Sequence, residues 1–308
     1  MTLSNPIEFK SVSKRYGSHV ALENMNLQVT AGEIFGFLGP NGSGKTTSIR
    51  ILTGFLKPTE GEAFVFGMNS WNQSVNISRK IGFVPDVSSL YDNNTGNELL
   101  SYFGALHGVP TAIIIDYLCD ALMFSRKDLN RKIRQYSHGM KRKLVIMQAM
   151  QHQPKLLIMD EPTQGLDPLT QKALFEILKS FSKDGGTIFF SSHVLSEVEN
   201  LCERVAIIRE GKLMVIEKII ELKSRKRRLA KIRFKNGKPS QFDVKGSLVV
   251  TSNDNEVLLS VDHDINPLIK ELSRHNVEDL VITEPSLEDI FLDYYKDAEQ
   301  VDSMDVSK

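Results

Sequence analysis

The sequence predicts an α/β protein built on a parallel sheet, with a small α+β domain appended behind it. Three observations lead there. Short apolar runs without alternation (Ile34-Phe35-Gly36-Phe37-Leu38, Leu156-Leu157-Ile158-Met159, Thr187-Ile188-Phe189-Phe190 and Val205-Ala206-Ile207-Ile208) read as strands buried on both faces. Helix-like stretches over residues 169–181 and 194–203 separate them, the rhythm of a parallel α/β layer. Period-2 alternation, the mark of antiparallel strands with one covered face, occupies the first thirty residues and returns after about residue 221.

In chain order, Ile7-Glu8-Phe9-Lys10-Ser11-Val12 and Met25-Asn26-Leu27-Gln28-Val29 alternate around a Tyr16-Gly17-Ser18 turn. The run ending at Leu38 enters a glycine-rich turn and then a helix over residues 46–56. From Asp86 to Ile133 the pattern is helical, with Leu99-Leu100, Tyr102-Phe103 and Leu106 near 3.6 spacing, then residues 113–123. Leu144, Val145, Met147 and Met150 read as the core stripe of a further helix. A basic run opens at Lys223-Ser224-Arg225-Lys226-Arg227-Arg228, and with Lys231, Arg233 and Lys235 it invites two readings: a solvated linker and strand edge, or attraction to anionic lipid. Beyond it, strands are expected at residues 230–234 and 257–261 and helices at 265–274 and 287–295, followed by an acidic tail. The expected division is residues 1–220, with a helical subdomain at about 86–150, and an accessory domain at 221–308.

A chain of 308 residues suits about two domains. Its 38 Lys plus Arg balance 38 Asp plus Glu, which argues against binding nucleic acid by bulk electrostatics, and 41% apolar content excludes the disordered class. Cys119 and Cys202 match no metal or disulfide pattern and read as buried thiols. No basic head followed by an apolar stretch opens the chain, and no window approaches the ~18 apolar residues of a membrane span.

Chemistry concentrates in two places. Gly39-Pro40-Asn41-Gly42-Ser43-Gly44-Lys45-Thr46 fits the phosphate-loop pattern, in which glycines let consecutive backbone N–H groups turn toward an anion at a helix N-terminus. Lys45 is expected to reach the β- and γ-phosphates of a nucleotide and the Thr46 hydroxyl to bind Mg²⁺. About 115 residues on, the run 156–159 ends in Asp160-Glu161. There Asp160 would hold the Mg²⁺ shell and Glu161 would orient and polarise the attacking water.

With these residues in place, the chain resembles the ATP-binding subunits of ABC transporters over about residues 5–215. Tyr16 sits where that family stacks an aromatic on adenine. Tyr136-Ser137-His138-Gly139-Met140 lies at the signature motif, Pro162-Thr163-Gln164-Gly165-Leu166-Asp167 at the loop joining the catalytic halves, and Ser191-Ser192-His193 at the switch histidine. The resemblance implies a phosphate-loop ABC cassette and ATP and Mg²⁺ as cofactors. Lys45, Glu161 and His193 would be catalytic, and nucleotide would be held by Tyr16, Gly39, Asn41, Gly42, Ser43, Gly44, Lys45, Thr46, Thr47, Asp86 and Asp160. Thr46, Asp160 and Asp86 would serve the metal, the carboxylates through water. Ser137, Gly139, Met140 and Asp167 would serve the partner subunit's ATP, so that hydrolysis requires a head-to-tail dimer, a homodimer ahead of a heterodimer.

Two departures stand out. Asp86 occupies the position at which the lid loop usually carries Gln, and His138 replaces the first signature glycine. The Ser137-to-Arg142 signature, Gln164-Gly165-Leu166-Asp167-Pro168 and the Glu284-to-Phe291 segment resemble the type-2 exporter subgroup, which pairs a separate ATPase with a separate permease. The resemblance thus implies a motor at the cytoplasmic face of the membrane, driving export through a permease whose coupling helix enters a groove beside residues 86–135. The alternatives are an importer ATPase with a regulatory C-terminal domain and a soluble ABC ATPase acting on ribosomes or DNA.

Overall fold

The computed structural model describes residues 5–86, 92–108, 112–224, 226–239 and 242–291. Arg225 of the basic run and the expected acidic tail lie outside the described residues. The chain divides into two compact units, Met1–Glu217 and Lys218–Lys308.

The first unit opens with β1 (Ile7–Tyr16) and β2 (His19–Val29), antiparallel about Gly17, whose φ of 59° favours a residue without a Cβ. β3 (Ile34–Leu38) is buried at every residue and feeds α1 (Lys45–Leu52). Next come β4 (Glu60–Val65), β5 (Met68–Asn69), α2 (Ser74–Ser78) and β6 (Ile81–Val84). The helices α3 (Gly96–His107), α4 (Ala112–Ala121) and α5 (His138–Met150) follow. Then come β7 (Leu156–Asp160), α6 (Pro168–Lys183), β8 (Thr187–Ser192), α7 (Leu195–Leu201), β9 (Arg204–Arg209) and β10 (Lys212–Lys218).

Two sheets result. An antiparallel sheet runs β2-β1-β4-β5, and a six-stranded sheet runs β10-β9-β3-β8-β7-β6 with parallel pairing from β9 through β6. One core joins them: Ile7, Phe9 and Leu27 of the first sheet cluster with Phe35, Phe37, Leu156, Ile158 and Phe189 of the second. The Phe37 and Phe189 rings lie 5.2 Å apart. Both cysteines are buried, and burial pushes each thiol above its ordinary range.

Apolar spacing in α3 marks a helix but not which residues are core. Leu99 and Leu100 are buried, whereas Tyr102 and Leu106 are 57% and 60% exposed. Phe103 and Leu106 instead line a groove of about 710 Å³ with Phe55, Phe83, Pro85, His107 and His152.

The second unit contains α8 (Ile219–Ser224), β11 (Arg228–Phe234), β12 (Leu248–Ser252), β13 (Glu256–Val261), α9 (Asn266–Leu272) and β14 (Val277–Thr283). Its sheet is antiparallel in the order β12-β13-β11-β14. Ala230, Ile232, Phe234, Val257, Leu259 and Val261 form one covered face with Leu268 and Leu272 of α9. The basic run begins in α8 and the connection after it, and from Arg228 it continues into β11, an inner strand whose alternate residues Lys231 and Arg233 point away from the covered face. Lys231 pairs across the sheet with Glu256 at 3.0 Å, and at the strand ends Arg228 meets Glu284 at 3.1 Å and Arg227 meets Asp262 at 3.1 Å.

Candidate active site

Strand order decides where the motifs meet. β3 lies between β9 and β8, and β7 lies between β8 and β6. All run parallel, so the segments leaving their carboxyl ends share one edge, where open α/β sheets take ligands. Those segments are the glycine-rich turn after Leu38, Ser192-His193 after β8, Asp160-Glu161 at β7 and Pro85-Asp86 after β6.

The turn has the backbone an anion cradle needs. Gly42 and Gly44 hold φ values of 81° and 110°, a region that favours glycine. A Cβ on Gly39 would stand 2.4 Å from the Ile208 carbonyl oxygen, so the third strand's exit also excludes a side chain. No side chain caps the N-terminus of α1, which leaves its first N–H groups available to a ligand. A cleft of about 260 Å³ opens here, lined by Tyr16, His19, Asn41, Gly42, Gly44, Lys45, Thr46, Thr47, Asp86 and Glu161. Tyr16 is half exposed at its mouth, and Ser43 and Asp160 are buried behind it.

Three predicted catalytic side chains converge. Glu161 Oε1 lies 3.5 Å from Lys45 Nζ, and Glu161 Oε2 is 2.8 Å from His193 Nδ1. The Lys45 ammonium donates to the Gly39 carbonyl at 2.6 Å and the Pro40 carbonyl at 3.1 Å. Burial holds the Lys45 pKa below its ordinary value, and the nearby Glu161 carboxylate opposes that shift. Glu161 itself has φ of 48°, a left-handed backbone that a non-glycine residue adopts only when its surroundings enforce it. Next to it, the Ser191 hydroxyl donates to Asp160 Oδ1 at 2.6 Å.

Ser43 Oγ and Asp86 Oδ1 are buried with no hydrogen-bond partner among the described residues, and Glu161 Oε1 has only the Lys45 ammonium 3.5 Å away. Buried polar atoms are normally bonded, so these under-satisfied oxygens at one cleft fit a polar ligand with phosphate oxygens and a hard cation. The donor set is right for Mg²⁺, which keeps most of its water and uses only one or two protein oxygens beside phosphate.

Ser137, Gly139, Met140 and Asp167 do not line this cleft. Ser137 caps α5 by accepting from the Met140 N–H at 3.2 Å. Asp167 caps α6, and its bonds from Thr170 hold its carboxyl below the usual range. His138 packs against Gly165, where a Cβ would come within 2.0 Å of its ring. The departure at 138 thus ties the signature turn to the loop before Asp167.

The parts played by two residues are not anticipated in the sequence: Arg142 reads only as the end of the signature segment, and Glu197 is not singled out. Arg142 is buried beneath the site and donates only to backbone carbonyls. Glu197 is buried on α7 and accepts from Thr163 at 2.9 Å and Ser192 at 2.8 Å, bridging the loops that follow β7 and β8. Arg142 sits in a Lys141-Arg142-Lys143 triplet that resembles a solvated face; a charged residue beside the stripe at 144–150 was the available signal.

The model for the family described as ABC transporter matches residues 22–164, and that for the ATP-binding protein DrrA1-3-like C-terminal domain matches residues 218–295. Over 227 residues the chain is 39% identical to the bacitracin transport ATP-binding protein BcrA of Bacillus licheniformis, covering 73% of this chain and 74% of that one. It is also 32% identical over 306 residues to the linearmycin resistance ATP-binding protein LnrL of Bacillus subtilis strain 168, covering 93% and 97%. The chain belongs to the ATP-binding subunits of ABC transporters. Its first unit has the fold of the dimeric bacterial ABC transporter cassette MJ0796, with a TM-score of 0.64 and 27% identity over 69% of this chain and 98% of that one. As an ABC ATP-binding subunit it hydrolyses ATP, and its relatives place it with the type-2 exporters. No described helix is long and apolar enough to cross a membrane.

Proposed function

We propose that this chain is the motor of an export system, acting as a homodimer at the cytoplasmic face of the membrane beneath a separate permease. The observation that carries the chemistry is the Glu161 carboxylate held between Lys45 and His193 at the mouth of the phosphate loop. In this reading Glu161 positions and deprotonates the water that attacks the γ-phosphate in line, while Lys45 and His193 offset the charge that develops on the transferred group. Tyr16 stacks on the base, and Gly39, Asn41, Gly42, Ser43, Gly44, Thr46 and Thr47 hold the phosphates, largely through backbone N–H groups. Mg²⁺, held by Thr46 and through water by Asp160 and Asp86, would supply Lewis-acid polarisation of the phosphate oxygens. Ser137, Gly139, Met140 and Asp167, which do not line the cleft of their own chain, serve the partner's nucleotide.

Export is supported by the names of the relatives, which speak of bacitracin transport and linearmycin resistance, and by the match of the second unit to a DrrA-type C-terminal domain. An importer is not favoured. The groove lined by Phe55, Phe83, Phe103 and Leu106 suits an apolar coupling helix of the permease, and Phe55 and Leu106 are exposed there. Glu161→Gln tests the chemistry. Turnover should fall at least about a hundredfold while MgATP still binds and dimers accumulate; normal hydrolysis by this variant would refute the role of Glu161.

A further inference from the structure

We infer that Arg142 is a positioning residue: it locks the Asp86 segment, the tip of the catalytic strand and the helix that begins at the signature into one rigid body. The inference rests on the roles proposed above for Glu161 and Asp86. The parallel ladder between β6 and β7 ends at Val84 opposite Met159. Past that point the two chains diverge, and their carbonyls have no strand partner in each other. Arg142 fills the gap. Its Nε donates to the Pro162 carbonyl at 3.0 Å, and its Nη2 donates to those of Asp160, at 2.8 Å, and Glu161. Its Nη1 donates to the carbonyls of Pro85 and of Asp86, the latter at 3.2 Å.

A guanidinium has five N–H donors, and here five carbonyl oxygens from two segments receive them. The side chain is 2% exposed, so each N–H withdrawn from water has to be replaced. No carboxylate oxygen is among its hydrogen-bond acceptors, so this fan serves the backbone and is not an ordinary ion pair. A Lys at this position has three donors and no plane, and cannot span both segments. One of the carbonyls belongs to Glu161, whose left-handed backbone needs an external hold to keep its carboxylate aimed at Lys45. Arg142 also stands five residues after Ser137, so displacement of the Asp86 segment is passed to the turn that serves the partner's nucleotide. Each chain thereby couples its own catalytic carboxylate to the other chain's site.

The test uses the full chain carrying Arg142→Lys, Arg142→Gln or Arg142→Met, with kcat, KM for MgATP, affinity for a fluorescent ATP analogue and a thermal melt measured for each. The expected result is folded protein in which kcat falls at least about tenfold for Lys and Met, nucleotide affinity stays within about threefold, and Gln, whose planar amide keeps two N–H donors in one plane, falls between them and wild type. Wild-type kcat per folded molecule in Arg142→Lys or Arg142→Met, with only the melting temperature lowered, would reduce Arg142 to a structural residue and overturn the inference. Failure of all three variants to fold would overturn it as well, because positioning predicts folded, slow enzymes. Glu161→Gln in the same assay separates the two levels: turnover there defeats the reading of the site, whereas an inert Glu161→Gln beside a normal Arg142→Lys defeats this inference alone.

Discussion

The imidazoles of His107 and His152 stack 3.7 Å apart in the groove beside β6, and His152 Nε2 meets the Ile81 carbonyl at 3.1 Å. Burial first, and then the neighbouring His107, push the His152 pKa down to about 4 from an ordinary 6.5. Its neutral form is the one the fold favours, so the unfolded chain binds the extra proton between those values. The contribution is complete above pH 6.5 and is lost as pH falls toward 4. Unfolding free energies from urea curves measured across that window should decline by an amount of order 2 kcal/mol, after allowance for the part of the ring that water reaches, and His152→Gln should flatten the slope. An unchanged slope in that variant would assign the decline elsewhere. At this scale the sequence was legible where chemistry demands residue types in a fixed local order: the glycines before Lys45, or an acid pair closing an apolar run. It was not legible for Arg142 or His152, because nothing local says that the second residue of a Lys-Arg-Lys triplet turns inward, or that two histidines 45 positions apart will share a face.

Among the elements, α3 illustrates both what a pattern states and what it omits. Its start is encoded twice over: Thr95 accepts from the Glu98 N–H at 3.2 Å while Glu98 accepts from the Thr95 N–H at 2.8 Å, a capping box readable as Thr-x-x-Glu. Thr95→Ala should cost about 1 kcal/mol, seen as a lower melting temperature, and Thr95→Ser should restore most of it; equal melting of the Ala variant and wild type would show that tertiary packing alone holds this helix. Periodicity cannot say which apolar stripe meets core and which meets a cavity, and Leu106 went to the groove. The same limit applied to β11, where counting charges found a basic run but could not see Glu256 of β13 brought alongside it.

For the molecule as a whole, parallel strands and intervening helices could be anticipated from buried runs, whereas the order β9-β3-β8-β7-β6 could not, since it depends on which crossovers bury the most apolar surface together. That order is what brings segments more than a hundred residues apart to one edge. If each chain carries two half-sites, ATPase activity per molecule should fall when the protein is diluted into its monomer range; constancy there would contradict a composite site. The sealing of Cys119 and Cys202 has a practical side. These are the chain's two cysteines, and with both thiols enclosed and held in the protonated form, electrophiles have no ready native target. A cysteine introduced on the surface near Ser137 would therefore accept a dye or spin label selectively, giving a direct optical record of the two subunits closing and parting in each cycle.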